Sequence, residues 1–136
     1  MLRSKKGFTL IELMVVVAII GVLALLGLRL YTGQQQKAKN AIVKANAGTI
    51  QTLIQAELAD TTSSAVDVKV DNGTLFSASG IHVPDGAAQD RNGVLGTDIG
   101  YVVVEYLGDV GEEYFTINGK AFITGDVYVT PLTARK

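Results

Sequence analysis

Cysteine and tryptophan are absent from this 136-residue chain, and histidine and proline are rare. Without cysteine, neither a disulfide framework nor a thiolate metal site can form. A small exported domain without disulfides depends on its own core or on assembly with partners for its stability. An excess of charge of one sign is also lacking, since 12 basic side chains stand against 13 acidic ones. That balance argues against a dedicated nucleic-acid-binding protein, which carries a marked basic excess.

Groups that could build an active site are scarce. His82 is the single histidine, set between Ile81 and Val83, and a lone histidine in such a place is far more often structural or solvated than catalytic. The sequence contains no nucleophile elbow, P-loop or zinc-ligand spacing. We therefore predict a protein that is not an enzyme and that holds no metal or cofactor.

One long apolar run contrasts with these absences. Residues 8–28 form the run FTLIELMVVVAIIGVLALLGL, with Glu12 as its single charge. As a helix this apolar run would be roughly 31 Å long, close to the thickness of a bilayer's hydrocarbon core. It is apolar on every side and longer than the apolar stretch of an ordinary secretory signal. We expect a membrane anchor that stays on the mature protein.

Glu12 is the anomaly in the apolar run. A carboxylate costs roughly 2.5–3.5 kcal/mol at the centre of a membrane helix and less near the interface. Two interpretations follow from physics alone. Either the side chain lies among the lipid headgroups, or it awaits a positive partner from another subunit. The residues by themselves leave both interpretations open.

The sequence around Glu12 resembles the prepilin signature shared by bacterial type IV pilins and type II secretion pseudopilins. The signature extends from Lys6 to Leu13, KGFTLIEL, and the apolar run continues from it. The resemblance implies cleavage after Gly7 by a prepilin peptidase and N-methylation of the new terminus at Phe8. It also implies that Glu12 meets the Phe8 amine of a neighbouring subunit, which would offset most of the cost of burying the carboxylate.

The apolar run divides the chain into segments. We expect residues 1–7 to be a basic cytoplasmic leader that is removed, and residues 8–28 to be the transmembrane and filament-core helix. Residues 29–60 should continue as an amphipathic stem helix. Basic side chains are nearly equal in number on the two flanks of the run, so the positive-inside rule does not set the orientation. The cytoplasmic placement of the leader is what the resemblance implies.

The stem repeats apolar residues at steps of three and four, which is typical of an amphipathic helix. The predicted stripe consists of Ala38, Ile42, Ala45, Thr49, Leu53 and Ala56, widened by Ile50, Ile54 and Leu58. This apolar side needs a sheet to cover it. The polar cluster at residues 60–64 is expected to end the helix.

Gly21 and Gly27 interrupt the apolar run. In the pilin family, a glycine at the place of Gly21 often begins a stretch of helix that loosens in the filament. A proline commonly closes that stretch, but Arg29 stands there in this chain. The two glycines must therefore supply any flexibility of the helix.

After residue 65 the hydrophobic period shifts towards two. Residues 66–70 predict a strand, followed by a turn at residues 71–73. Further strands are predicted over residues 101–107, 113–117 and 120–124, with Asn118–Gly119 as a hairpin turn. Residues 127–130 either continue the last of these strands or add another. The expected fold is α+β: a long helical stem packed on a three- or four-stranded antiparallel head of residues 61–136, with a variable loop at 77–100.

Other chemistries are weaker interpretations. One loop carries four residues with oxygen ligands of the kind that calcium takes, Asp85, Asp90, Asn92 and Asp98. Their spacing is not that of an EF-hand, and solvated turn residues are the simpler interpretation. Asn72 begins a formal glycosylation sequon, which is equally typical of a turn. Electron transport through aromatic residues is disfavoured, because only Phe8 and Tyr31 lie on the long helix.

The leading hypothesis for function is a major pilin, a structural subunit of an extracellular type IV pilus used for adhesion, motility, biofilm or DNA uptake. The resemblance implies several partners: other copies, the prepilin peptidase, an assembly ATPase and a platform protein. It places the precursor in the inner membrane. The alternative is a pseudopilin of a secretion or competence machine, and a third class is a membrane-anchored binding module.

Overall fold

A helix that begins within the apolar run dominates the secondary structure. In the computed structural model, helix α1 extends over Leu10–Asp60. The chain divides into two compact units, Met1–Gln35 and Gln36–Lys136, so α1 contributes residues to both. The structure describes residues 7–94, 98–108, 112–122, 125–126, 128 and 130–135. Residues 1–6 of the predicted leader lie outside these ranges, and so do parts of the strands predicted at 120–124 and 127–130.

The C-terminal part of α1 supplies one wall of the core of the second unit. Its buried residues are spaced three or four apart: Val43, Ala47, Ile50, Ile54 and Leu58. The predicted stripe is partly correct, because Ile50, Ile54 and Leu58 belong to this buried face. Most of its members are exposed, namely Ala38, Ile42, Ala45, Thr49 and Ala56. Two apolar stripes overlap on this helix. The stripe with more of the larger aliphatic side chains is the one that is buried in the core.

Two short helices follow α1 where the hydrophobic pattern predicts a strand. They are α2, Ser63–Asp71, and α3, Thr74–Ser79. The strand prediction at residues 66–70 is wrong. Val66 and Val70 are buried one helical turn apart, whereas Val68 between them is 59% exposed. Thr62 explains the outcome, because its side-chain oxygen accepts from the Ala65 N–H at 3.4 Å and so caps the start of α2.

Three antiparallel strands form the sheet in the order β1-β2-β3. They are Val102–Leu107, Tyr114–Gly119 and Leu132–Arg135. Val104 of β1 lies opposite Ile117 of β2, and Phe115 of β2 lies opposite Ala134 of β3. All four side chains join the core with the buried face of α1. The α+β prediction, a long N-terminal helix with a small antiparallel sheet, is confirmed.

The hairpin turn predicted at Asn118–Gly119 is wrong. Both residues lie inside β2, where Gly119 pairs with Val102 of β1. The Asn118 side chain accepts from the Tyr128 N–H at 3.1 Å and donates to the Tyr128 carbonyl at 3.2 Å. The amide that suggested a turn therefore binds the backbone of the connection between β2 and β3.

The connection from α3 to β1 is fastened to α1. A bridge between His82 and Ala88 folds part of it into a small hairpin. The Lys39 ammonium pairs with the Asp85 carboxylate at 2.6 Å, and the Asn46 amide donates to the His82 carbonyl at 2.8 Å. α3 takes up the first three residues of the variable loop predicted at 77–100.

Candidate assembly site

The residues around the predicted cleavage position organise the start of α1. Thr9 precedes the first helical residue, and its Oγ1 accepts a hydrogen bond from the Glu12 N–H at 3.3 Å. Thr9 and Glu12 have the spacing of a capping box, in which the third helical position carries a carboxylate. A carboxylate in the first turn also interacts favourably with the positive end of the helix dipole. Glu12 therefore suits the helix start of its own chain, whatever it contacts in another.

The predicted assembly residues are accessible. Phe8 is 85% exposed, and Glu12 is exposed as well. Among the residues that the structure describes, none forms an ion pair with Glu12. A Cβ added at Gly7 would meet none of the described residues within 4 Å. All three positions are therefore open to contact with other molecules.

The first unit presents an apolar surface that its own residues do not cover. Every large hydrophobic side chain from Leu10 to Tyr31 is at least 45% exposed. The mean hydropathy reaches 2.8, and this part of α1 is long and apolar enough to cross a membrane. Exposed apolar surface on this scale marks a site of contact with lipid or with other proteins.

Gly21 and Gly27 both lie within α1, which is helical at each of them. A Cβ at either position would meet nothing within 4 Å. Packing inside one chain therefore does not require glycine there, although glycine costs roughly 1 kcal/mol relative to alanine in an exposed helix.

Three of the four residues considered as calcium ligands, Asp85, Asn92 and Asp98, have side-chain partners within the protein. Asp85 pairs with Lys39, and Asp98 pairs with Arg91, each at 2.6 Å. The Asn92 side chain binds the backbone of β1. In the described part of the chain, no group of three or more histidine and acidic residues is placed to hold a metal ion. The structure thus gives the calcium interpretation no support.

Two carboxyl groups of the second unit have shifted pKa values. Hydrogen bonds from Arg91 and from the Val94 N–H lower the pKa of Asp98 below its ordinary value of 3.8. Burial, assisted by the nearby charge of Asp71, raises the pKa of Asp67 above that value. Asp98 is therefore stabilised as a carboxylate by folding, whereas Asp67 is destabilised as one.

His82 and Asn72 have structural contacts. The His82 Nδ1 lies 3.0 Å from the Gly80 carbonyl oxygen, so its ring is held against its own loop. The Asn72 Oδ1 accepts from the Thr74 N–H at 3.0 Å and from the Thr74 hydroxyl at 2.6 Å. These bonds organise the turn predicted at residues 71–73, which connects α2 to α3.

The roles of three side chains were not predicted from the sequence, although Thr9 belongs to the prepilin signature and Asn92 was considered as a calcium ligand. Thr9 carries a readable signal, since a threonine three residues before a glutamate at the start of an apolar run is a helix-start pattern. Gln89 and Asn92 carry no local signal. Their side chains bind backbone groups of Val102 and Val104, 12 or 13 residues further along the chain.

Comparison with known proteins agrees with this geometry. The prokaryotic N-terminal methylation motif matches residues 2–28, which include the apolar run and the residues before it. The class is therefore that of prepilin-type chains, whose apolar helix follows a short leader.

Relatives along most of the chain make the assignment more specific. A "Probable minor fimbrial protein" of Dichelobacter nodosus is 35% identical over 115 residues, which are 82% of this chain and 68% of the relative. "Fimbrial protein Q" of Moraxella bovis is 30% identical over 112 residues, 73% of this chain and 71% of the relative. The "Type IV major alpha-pilin" of Moraxella bovis is 40% identical over 57 residues, 42% and 36% of the two chains.

The chain belongs to the type IV pilin family of fimbrial proteins. It is a structural subunit whose precursor is anchored in the membrane and whose assembled form is a surface filament. No solved structure matches the chain significantly.

Proposed function

We propose that this pilin is cleaved after Gly7 and that its mature form polymerises through Phe8 and Glu12. The observation that carries the proposal is the state of Glu12. It is an exposed carboxylate and the single charge of the apolar run, without an ion pair to any described residue of its own chain. Such a charge is costly in lipid and among packed apolar helices, so it requires a cation from elsewhere.

Cleavage supplies that cation. Hydrolysis of the peptide bond between Gly7 and Phe8 leaves an ammonium group on Phe8, and N-methylation of this amine keeps the positive charge. Gly7 has no side chain, and none of the described residues lies within 4 Å of the place a Cβ would take, which suits entry of the backbone into a protease cleft. The pair formed by the Phe8 ammonium and the Glu12 carboxylate is charge-assisted and is strongest where water is excluded.

The exposed apolar surface of the first unit supports polymerisation through the same helix. In the membrane, these side chains contact lipid, and in a filament they contact the helices of other copies. The exchange moves little apolar surface out of water, so close packing and polar pairing decide which helices associate and in which register. Glu12 then acts as the register-setting group, because it tolerates only an alignment that brings an amine to it.

The exposed stripe in the second half of α1 offers a further surface for neighbouring helices. It is composed mainly of small residues, Ala38, Ile42, Ala45, Thr49 and Ala56. Small residues permit two helices to approach closely. Extraction of each subunit from lipid requires work, so we infer an assembly ATPase and a platform protein as partners, together with the prepilin peptidase.

Two roles in the filament are candidates for this subunit, that of the major pilin and that of a minor pilin. A major pilin is the expectation from sequence, and relatives with major names align with 41% and 42% of the chain. A minor pilin is favoured by the relatives that align with 82% of it, which are named probable minor fimbrial proteins. Quantitative mass spectrometry of sheared filaments distinguishes them, since a major pilin is the dominant protein and a minor pilin is a small fraction.

Substitution of Glu12 tests the assembly mechanism. Glu12→Ala should leave processing intact and lower the amount of this subunit in sheared filaments at least about tenfold, because one buried charge pair is lost. Electron microscopy and immunoblots of the sheared and membrane fractions measure this. The matched control is Glu105→Ala, at an exposed acidic residue of β1. A Glu12→Ala subunit present in sheared filaments at the parental amount would contradict the role of Glu12.

Substitution of Gly7 tests the processing site separately. Gly7→Val should leave an uncleaved precursor that stays in the membrane, because a branched side chain now occupies the position before the scissile bond. Intact-mass analysis distinguishes the precursor from the mature, methylated chain. A mature mass in this variant would show that cleavage occurs elsewhere.

A further inference from the structure

The sheet has two edge strands, and side-chain amides bind both. An uncovered edge presents unpaired N–H and C=O groups with which a strand of another chain can pair. At β3, the Gln51 Nε2 donates to the Thr133 carbonyl at 2.9 Å and the Gln55 Nε2 donates to the Arg135 carbonyl at 2.7 Å. Both glutamines belong to α1, so the helix that supports the sheet also covers this edge.

The cover over β1 is more complete. The Gln89 Oε1 accepts from the Val102 N–H at 2.9 Å, and its Nε2 donates to the Val102 carbonyl at 2.8 Å. Asn92 binds Val104 in the same way, at 2.8 Å to the N–H and 2.7 Å to the carbonyl. Residues two apart on a strand direct their backbone groups to the same edge. The two amides therefore repeat the pairing that a fourth strand would make.

The backbone around these two amides is fitted closely to its surroundings. The Gly93 N–H also donates to the Val102 carbonyl, at 3.0 Å. A Cβ at Gly93 would lie 2.8 Å from the Cβ of Tyr101, so only glycine allows this approach to β1. On the other side of the segment, a Cβ at Gly73 would lie 2.3 Å from the Asp90 carbonyl oxygen. Residues 89–93 thus occupy a narrow space between β1 and the turn that connects α2 to α3.

The closed arrangement is strongly favoured by burial. Gln89 is only 1% exposed, and its Nε2 also donates to the Arg91 carbonyl at 3.2 Å. A buried amide that loses its partners carries the full cost of its desolvation. Opening the segment would therefore leave both the Gln89 amide and the backbone of Val102 unsatisfied until water or another strand replaced the lost bonds.

We propose that residues 89–93 are a latch that closes the β1 edge against strand pairing by a second copy of this chain. In a filament, the second units of neighbouring copies are held at high local concentration, where an open edge would pair strand to strand. The latch removes that route of association and leaves the order of subunits to contacts of α1. This role is separate from processing and from the Glu12 contact, and it is tested without filaments.

Amide hydrogen exchange tests whether the latch exists. In the full mature chain in detergent micelles, the Val102 and Val104 amides should exchange slowly although they lie at a sheet edge. Asn92→Ala should speed exchange at Val104 about tenfold or more, with little change at Val103, which lies between them. The matched control is Asn40→Ala, because Asn40 is also half-buried and accepts a single backbone bond, from the Phe122 N–H.

Cross-linking tests whether the latch blocks a second copy. The chain has no cysteine, so Glu105→Cys places a single thiol at an exposed position of β1. With a short thiol-reactive cross-linker, the yield of linked dimer should rise several-fold when Asn92→Ala is added. It should not rise when Asn40→Ala is added, since that change leaves the edge closed.

Two results would contradict the proposal that residues 89–93 close the β1 edge. Fast exchange of Val102 and Val104 in the parent chain would overturn it, and so would an unchanged dimer yield after Asn92→Ala. If Asn92→Ala unfolds the head, seen as equal loss of protection at Val103, then Asn92→Asp makes the same comparison. That variant keeps the acceptor for the Val104 N–H and replaces the donor to the Val104 carbonyl by a carboxylate oxygen that repels it, so a rise in dimer yield supports the latch and no rise contradicts it.

Discussion

The two units of this pilin use similar apolar side chains in opposite ways. In the first unit, residues of the apolar run such as Ile20 are more than half exposed, whereas in the second unit Ile54 of the same helix is fully buried. The helix is continuous, so the difference does not lie in its backbone. It lies in what covers the side chains, since the sheet packs on the part of α1 in the second unit, whereas the described large apolar side chains from Leu10 to Tyr31 are exposed. Stability of the first half therefore depends on lipid or other copies.

The largest expected effect comes from matched isoleucine substitutions in the two units. Ile54→Ala should destabilise the head by about 2–5 kcal/mol, because it removes a buried side chain from a packed core. Ile20→Ala, at a position 59% exposed, should leave the unfolding of the head unchanged within about 0.5 kcal/mol. Urea unfolding of the mature chain in micelles, followed by tyrosine fluorescence, measures both.

The Ile20→Ala variant also tests whether the apolar run forms the filament contacts. Ile20→Ala should lower the thermal stability of sheared filaments, while its free subunit remains as stable as the parent. Filaments of parental stability in that variant would place the contacts outside this part of the run.

A smaller effect is expected from matched glycine substitutions. A Cβ at Gly48 or at Gly21 meets nothing within 4 Å, and both residues lie in α1. Gly48→Ala should stabilise the second unit by about 0.5–1 kcal/mol, because alanine is the better helix former. Gly21→Ala combined with Gly27→Ala should not change unfolding of the head but should lower filament yield, if these glycines supply flexibility or close contact in assembly.

Two results would contradict the expected effects of the glycine substitutions. Normal filaments from the double variant would show that neither glycine is needed for assembly. A destabilising Gly48→Ala, measured by the same urea unfolding, would show that the space beside Gly48 is required by the head.

The smallest expected effect is a pH dependence confined to the second unit. The folded pKa of Asp98 is lowered, so its stabilising contribution is present above the ordinary value of 3.8 and is lost as the pH falls through the folded value. Asp98→Asn should therefore lower the stability of the head at pH 7, and the difference from the parent should shrink below pH 3.8. Urea unfolding at several pH values measures this.

Asp67 provides the opposite case for the same measurement. Its folded pKa is raised, so the carboxylate costs stability above that pKa, and this cost disappears as the pH falls below the ordinary value. Asp67→Asn should make the head more stable at pH 7 and no different in acid. A stabilising Asp98→Asn or a destabilising Asp67→Asn at neutral pH would contradict the assignments.

Local sequence patterns predicted the parts of the fold that depend on local interactions. The apolar run, the polar cluster after Asp60 and the β-rich segment before Leu107 each carry their own signal, and the elements lie close to where they are predicted. Part of the predicted stripe on α1 was misplaced because two apolar faces overlap there. The position of the sheet determines which face is buried. The spacing of Val66, Val68 and Val70 fits both a strand, which has a period of two, and one turn of a helix. The helix cap formed by Thr62 favours the helix.

Long-range contacts could not be predicted in the same way. Asn118 has a local pattern of a turn, but its amide is satisfied by Tyr128, ten residues away in the chain. Gln89 and Asn92 find their partners only once β1 is in place. The candidate assembly site is different, because Gly7, Phe8, Thr9 and Glu12 are consecutive or nearly so. Its recognition needed only the sequence, whereas the contacts that it makes with another copy stay a prediction.

The threonine cap at the start of α1 has a consequence for the precision of assembly. Helical structure begins at Leu10, two residues after the proposed new terminus at Phe8. The amine is therefore on a tether of only two residues, which reaches at most about 7 Å from the helix. Consecutive helical residues advance by about 1.5 Å along the axis. In the assembly proposed above, a carboxylate displaced by more than about five residues along a neighbouring helix lies beyond that reach, so the pair restricts the register of the two helices to about one turn.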